Sequence, residues 1–129
     1  MNKNLYFLLL LIFILLSSCS NTVRVKLFGN KSVGDNYYSV ITPEGIVREV
    51  SHKYHILLPL PGMSGNFIFK FQAVAQGEAV IVVYNRFRGD KTWQIAAYKA
   101  TVDKRKKLTL MPIEDKFPLQ EHPEDEQDR

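Results

Sequence analysis

After residue 20 the chain never sustains a helical period of apolar residues and is divided instead into short β-prone runs. The runs are rich in Val, Ile, Phe and Tyr, and clusters of Gly, Pro, Asn and Asp separate them. Runs that recur roughly every 8–12 residues predict an all-β chain, folded as a sandwich or a small barrel. The predicted strands are Val23–Leu27, Tyr37–Ile41, Ile46–Val50, Tyr54–Leu58, Phe67–Phe71, Ala79–Tyr84, Trp93–Val102 and Leu108–Met111.

Two of these runs indicate where the core lies. Residues 79–84, AVIVVY, are apolar throughout, which is typical of a central strand buried on both faces. Phe67, Phe69 and Phe71 share one face of their strand, with Ile68 and Lys70 on the other. We therefore expect the three phenylalanines in the core, and we expect the last run, KLTLMP, at a sheet edge.

The N-terminal region has the form of an export signal. Residues 5–16 are uncharged and follow Lys3, but twelve residues are fewer than the about 20 that a membrane-spanning helix needs. The segment Leu16-Ser17-Ser18-Cys19, which holds the only cysteine, resembles the lipobox of bacterial lipoproteins. The resemblance implies a signal peptide over residues 1–18, a lipid-modified Cys19 and a tether over 19–22. An ordinary cleaved signal with a nearby cysteine is the alternative.

Charges are segregated along the sequence. Residues 19–120 carry 15 basic and 8 acidic side chains, a net charge of +7, whereas residues 121–129 carry −4. The acidic composition predicts a disordered tail over residues 112–129. The basic run Lys104–Lys107 lies between two predicted strands, where a solvated turn is the simpler interpretation and contact with anionic lipid head groups is the alternative. We do not expect an exported, tethered chain to bind nucleic acid.

The titratable residues form no recognisable catalytic or metal-binding pattern. His52 and His55 are three residues apart, so a strand would point them to opposite faces, and no cysteine completes a zinc site with them. Ser64 lies in Gly62-Met63-Ser64-Gly65, whose spacing departs from the Gly-x-Ser-x-Gly elbow. We therefore expect a protein that is not an enzyme and that needs no metal or cofactor.

A loop after the first strand carries a family resemblance. The strand VRVKLFG leads into Asn30-Lys31-Ser32-Val33-Gly34, and Tyr37 follows. This succession resembles the first loop of chagasin, the type member of a group of small inhibitors of papain-like cysteine proteases, which reads Asn-Pro-Thr-Thr-Gly before an aromatic residue. Lys31 and Val33 depart from that pattern. The missing proline at position 31 is expected to leave the loop less pre-organised and to lower its affinity.

Two further loops extend the resemblance, which covers roughly residues 23–102. Gly62-Met63-Ser64-Gly65 precedes the Phe-rich strand, as the Gly-rich second loop of the family does. Residues 84–88, YNRFR, resemble the third loop, Tyr-x-Arg-Pro-Trp, with Tyr84 and Arg86 in register. Phe87 and Arg88 replace the Pro and Trp, and Trp93 is a candidate substitute for the latter.

The resemblance implies an immunoglobulin-like β-sandwich over residues 23–111, whose three loops occlude the cleft of a papain-like cysteine protease without covalent chemistry. The protease-binding residues that it implies are Asn30, Lys31, Ser32, Val33, Gly34, Tyr37, Gly62, Met63, Ser64, Gly65, Arg86, Phe87, Arg88 and Trp93. A structural or adhesive surface module that uses the same sandwich is the alternative. The lipobox implies attachment to a bacterial envelope membrane, facing the periplasm or the exterior, and Ser20 after the cysteine favours the outer membrane.

Overall fold

A computed structural model describes residues 2–17 and 21–120. One helix, α1, precedes seven strands, and a short 3-10 helix, Lys31–Val33, follows the first strand. The bounds are α1 (Lys3–Ser17), β1 (Thr22–Gly29), β2 (Tyr37–Thr42), β3 (Val47–Ile56), β4 (Gly65–Ala73), β5 (Gly77–Phe87), β6 (Lys91–Val102) and β7 (Leu108–Ile113).

The apolar N-terminal run forms α1, and the side chains of residues 5–10 are at least 48% exposed. Within the described ranges, no helix is both long and apolar enough to cross a membrane. The predicted attachment residue, Cys19, lies outside the described residues, as do Ser18 and Ser20. The apolar clusters of the described chain draw only on residues 23–117, so the β-sheets build their core without α1.

The strands form two antiparallel sheets that pack as a sandwich, which confirms the predicted all-β, immunoglobulin-like fold class. One sheet has the order β1-β4-β3 and the other has the order β2-β5-β6-β7. Strand β5 is central, as its unbroken apolar run predicted, and residues 81–85 are all buried. Strand β7 pairs with β6 at one edge of the larger sheet, which is the edge position expected for KLTLMP.

The main core lies between the two sheets. Phe67, Phe69 and Phe71 alternate along β4 and are at most 2% exposed, which confirms the prediction from their spacing. Ile81 and Val83 of β5 face them from the other sheet and are fully buried. Burial of one Phe, Ile or Val side chain contributes about 1.5–3 kcal/mol, so this layer is the main source of stability.

Two predicted boundaries in the strands were wrong. The runs 46–50 and 54–58 form one strand, β3, because the register shift between Glu49 and Ser51 inserts one extra residue and lets pairing with β4 continue. The segment between the predicted strands Ala79–Tyr84 and Trp93–Val102 is a short turn and not a long loop, because Asn85, Arg86 and Phe87 still pair with β6. Only residues 88–90 connect β5 to β6.

The segment after β7 is more ordered than the expectation of a tail from residue 112. Residues 112 and 113 belong to β7, and residues 114–120 cross the outer face of the larger sheet. Phe117 packs against the buried cluster that contains Val82 and Tyr84, and the Tyr84 hydroxyl donates to the Pro118 carbonyl at 2.8 Å. This segment covers apolar side chains that the larger sheet would otherwise expose. Residues 121–129 lie outside the described residues.

The connections divide between the two ends of the sandwich. Residues 30–36, 57–64 and 88–90 lie together at what we call the loop end, where β1, β3 and β5 finish. The turns 43–46, 74–76 and 103–107 lie at the opposite end, the turn end, together with the start of β1.

Candidate functional site

The first loop is a single turn of 3-10 helix with a cap at each end. The Asn30 side chain accepts a hydrogen bond from the Ser32 N–H at 3.0 Å, which is the usual role of an N-cap residue. Gly34 closes the turn at φ +115°, and its N–H donates to the Lys31 carbonyl at 3.2 Å. A non-glycine residue rarely adopts that φ, so Gly34 is a conformational requirement of the loop.

A buried asparagine fixes this loop to the core. Asn85 of β5 is 1% exposed, and its side-chain oxygen accepts from the Asn36 N–H at 2.9 Å. Its amide nitrogen donates to Asp35 Oδ1 at 2.8 Å, and Asp35 Oδ2 accepts from the Asn30 N–H at 2.9 Å. The loop therefore starts and ends on one buried network.

Two tyrosines support the same loop from below. Tyr37 is 6% exposed, stacks on Phe67 at 4.2 Å and donates to the Phe28 carbonyl at 2.9 Å. Burial, with a smaller effect of the Asp35 charge, raises the pKa of Tyr37 above its ordinary value. The Tyr54 hydroxyl lies 3.3 Å from the Lys31 N–H, which donates to it. Tyr37 thus positions the loop and offers little surface to a partner.

The second loop, residues 57–64, is held against the first. The Asn30 side-chain nitrogen donates to the Gly62 carbonyl at 3.0 Å. Gly65 is buried where β4 begins, and a Cβ there would collide with the His55 carbonyl oxygen. Met63 and Ser64 are half-buried, whereas Gly62 is exposed. Of the four residues predicted in this loop, Gly65 therefore serves the strand pairing.

The third turn is tied to the other side of the first loop. The Arg88 N–H donates to the Gly34 carbonyl at 2.9 Å, and Arg88 Nε donates to the Val33 carbonyl at 3.2 Å. The Arg88 guanidinium lies 5.0 Å from the centre of the Phe87 ring, and that ring lies 5.8 Å from Trp93. Trp93 is therefore beside the third turn, although it belongs to β6. The neighbouring Arg86 is half-buried.

The loop end exposes a set of apolar side chains. Five large apolar residues there are 41% to 68% exposed: Val33, Leu57, Leu58, Leu60 and Trp93. Apolar side chains clustered around polar backbone groups are typical of a protein-binding surface.

The described residues contain no group of three potential metal ligands. The register places His52 opposite Phe69 and His55 opposite Asn66, so the two histidines lie on opposite faces of β3. His52 stacks on the Phe69 ring at 4.4 Å. The chemistry that this surface offers is contact through backbone groups, apolar side chains and cations.

Comparison with protein families gives one match. The model of the chagasin family peptidase inhibitor I42 matches residues 18–102, which is most of the sandwich and all three loops. The chain belongs to the chagasin family. Searches of curated proteins and of solved structures find no match. Members of the chagasin family are inhibitors of papain-like cysteine proteases and are not enzymes.

The loops of this chagasin-family protein were recognised from sequence, but the residues that connect them were not. Asn85 stands in an otherwise apolar buried strand, and a polar residue in such a place signals a specific hydrogen-bonding role. Asp35 and Tyr54 gave no comparable signal, because their partners are 50 and 23 residues away. The exposed leucines of the second loop lay partly in a predicted strand.

We predict that Asn85→Leu lowers the free energy of unfolding by about 1–3 kcal/mol, because it leaves the Asn36 N–H and the Asp35 carboxylate without their buried partner. Amide exchange over residues 30–36 should also become faster. Urea titration and hydrogen exchange measure the two effects. Asn66→Leu is the control, since Asn66 lies on the outer face of β4. Equal loss of stability in both variants would contradict the assigned role of Asn85.

Proposed function

We propose that this protein is a membrane-anchored inhibitor of papain-like cysteine proteases, and that the loop end enters the protease cleft without covalent chemistry. The first loop lies against the catalytic thiol, and the loops 57–64 and 88–90 contact the cleft walls. The observation that carries the proposal is the pair of hydrogen bonds from Asn30 to Gly62 and from Arg88 to Gly34, which joins the three loops into one surface.

Joined loops favour tight binding because little freedom remains to be lost. Each rotamer-rich side chain or loop residue that must be ordered on binding lowers the affinity. Here the first loop, which lies between the other two, is fixed by its own caps, by Asn85 in the core and by hydrogen bonds to the neighbouring loop on each side. The loop end therefore enters the cleft without a change of conformation.

The same contacts bear on the missing proline. A proline at position 31 would restrict φ, whereas here the Asn30 cap and the Asp35 carboxylate restrict the loop through hydrogen bonds. Asn30 also accepts a hydrogen bond from the Ser32 hydroxyl. These bonds support retained inhibition despite the departures at Lys31 and Val33.

The proposed anchor is a lipid on Cys19. Two or more acyl chains on one residue hold a protein at a bilayer, since each buried CH₂ contributes about 0.8 kcal/mol and one chain alone binds only marginally. Only residues 20 and 21 separate Cys19 from the start of β1 at Thr22, so a lipid on Cys19 would hold the sandwich close to the membrane surface. The proposed location is the bacterial envelope, with the outer membrane favoured.

We predict that Gly34→Ala weakens inhibition of papain and of a cathepsin-L-type protease by about tenfold or more, a cost of ~1.4 kcal/mol. An added Cβ would lie 2.5 Å from Arg88 Cγ, at a φ that alanine disfavours, so the Arg88 side chain that joins the third turn to the first loop must shift. The measurement is a titration of each protease with the chain from Asn21 onward, which contains the whole sandwich.

Gly45→Ala is the matched control for this variant. Gly45 also has a positive φ, +95°, but it lies at the turn end, where an added Cβ meets nothing within 4 Å. It should lose similar backbone freedom and keep full inhibition. Equal weakening by both substitutions would refute the role of the first loop. Absence of inhibition by the folded unmutated chain would favour the non-inhibitory surface module.

We predict that Cys19→Ser, made in the full chain and expressed in a bacterium, abolishes incorporation of a labelled fatty acid and releases the protein from the membrane fraction. Ser18→Ala is the control, because it changes a neighbouring small residue and leaves the thiol in place. A Cys19→Ser protein that is still labelled would show that the lipid is not attached through this thiol.

A further inference from the structure

The turn between β6 and β7 carries four consecutive cations, and hydrogen bonds hold its backbone. The Asp103 carboxylate oxygen Oδ1 accepts from the N–H groups of Arg105 and Lys107, both at 2.9 Å. The Lys106 N–H donates to the Asp103 carbonyl at 3.0 Å, and the Asp103 N–H donates to the Lys107 carbonyl at 3.2 Å. The carboxylate of Asp103 is therefore hydrogen-bonded to backbone N–H groups of the turn.

The four cationic side chains point outward. All residues from Lys104 to Lys107 are exposed, and none of their side chains forms an ion pair or hydrogen bond within the part of the chain that the structure describes. Lys106 adopts φ +59°, an uncommon conformation for a lysine, where glycine or asparagine would fit with less strain. Four adjacent like charges repel one another unless an anionic partner neutralises them.

The position of the turn indicates that this anionic partner is a membrane surface. The turn lies at the turn end, where Thr22 begins β1. Leu108, directly after the turn, and Val23 belong to the same core cluster, and opposite sheets of a sandwich lie about 10 Å apart. Cys19 is three residues before Thr22, a reach of about 10 Å at most. The proposed lipid and the basic turn therefore lie at the same end of the sandwich and can contact the same membrane surface.

We propose that Lys104–Lys107 is an electrostatic second contact with the anchoring membrane, which binds the head groups of anionic phospholipids. This inference rests on the proposed attachment at Cys19, because that attachment keeps the turn end near the surface, where the turn can reach the head groups. A polybasic segment near an acyl anchor adds attraction to anionic lipid, and this second point of contact fixes the orientation of the tethered sandwich.

Other charges at the turn end do not cancel this contact. Glu78 pairs with Lys99 at 3.6 Å, and Asp103 is bound by backbone N–H groups. Glu44, in the turn after β2, is the remaining acid among the turns of this end. The last described residue, Gln120, is bound by the Tyr38 hydroxyl near the loop end.

The contact would set the direction of the inhibitory surface. Strand β6 runs from the loop end to the basic turn, and nine residue steps separate Trp93 from Val102, a rise of about 30 Å. With the turn on the bilayer, the loops 30–36, 57–64 and 88–90 face away from it. A protease in the surrounding space can then approach them.

The first test is sedimentation of the chain from Asn21 onward with vesicles of phosphatidylglycerol and phosphatidylcholine, compared with phosphatidylcholine alone. The test variant is Lys104→Gln, Arg105→Gln and Lys107→Gln together, and it retains Lys106 because of its φ. The control variant is Lys26→Gln, Lys53→Gln and Lys91→Gln, exposed residues away from the turn end, with the same change in net charge.

The unmutated chain should bind the anionic vesicles only, and less at high salt. The test variant should bind on the order of 100-fold more weakly, since each cation near the surface contributes about fivefold. The control variant should lose less than about threefold. Equal losses in the two variants, or no binding of the unmutated chain, would overturn the proposal. Neither result depends on lipidation or on protease inhibition.

The second test measures orientation. A chain beginning at Cys19 is coupled through its thiol to a maleimide lipid in anionic vesicles that carry dansyl head groups. Trp93 is the only tryptophan, so energy transfer from it reports the height of the loop end. Transfer should be weaker for the unmutated chain than for the test variant. Equal transfer, or stronger transfer in the unmutated chain, would refute the upright orientation.

Discussion

Asn85 places a polar side chain at the end of the most buried strand, and both of its polar atoms bind the segment that closes the first loop. A buried amide without partners would cost about 1–3 kcal/mol, so folding of this loop adds to the stability of the core. The loop in turn binds the second loop through Asn30 and the third turn through Gly34. The order of the loop end therefore depends on Asn85, together with the support that Tyr37 and Tyr54 give to the first loop.

The sandwich holds the loop end and the turn end at a fixed distance from each other. Its sheets are held by the phenylalanines of β4 and the aliphatic residues of β5, and close-packed interiors of this kind deform little. The loop end carries exposed apolar side chains beside the third turn and in the second loop, whereas the turn end carries the basic turn. A rigid body with unlike ends can hold an inhibitory surface at a fixed distance from a membrane.

The sequence predicted the fold because its information on strands is local. Alternation placed Phe67, Phe69 and Phe71 in the core, and the apolar run of β5 placed that strand in the centre of its sheet. The bulge in β3 was missed, since an extra residue breaks the alternation without ending the strand. The order of residues 114–120 was also missed, because it depends on Phe117 meeting side chains of β2 and β5 that are distant in sequence.

The first two loops were located from sequence, but neither the short third turn nor the coupling of the three loops was predicted. A pattern such as Asn30 to Gly34 gives the caps of a turn, which involve neighbouring residues. The hydrogen bonds that join the loops link residues 32 and 55 positions apart, and only the packed strands bring those groups together. The missing proline at position 31 is visible in the sequence, whereas the hydrogen bonds that Asn30 and Asp35 make in this loop are visible only in the structure.

The most direct test of the account is hydrogen exchange of the chain from Asn21 onward, with and without papain. We expect slower exchange on binding to appear together in residues 30–36, 57–64 and 88–90, with the turn end unchanged. Protection on the outer face of either sheet or at residues 103–107, with the three loops unaffected, would contradict the claim that the loop end is the inhibitory surface.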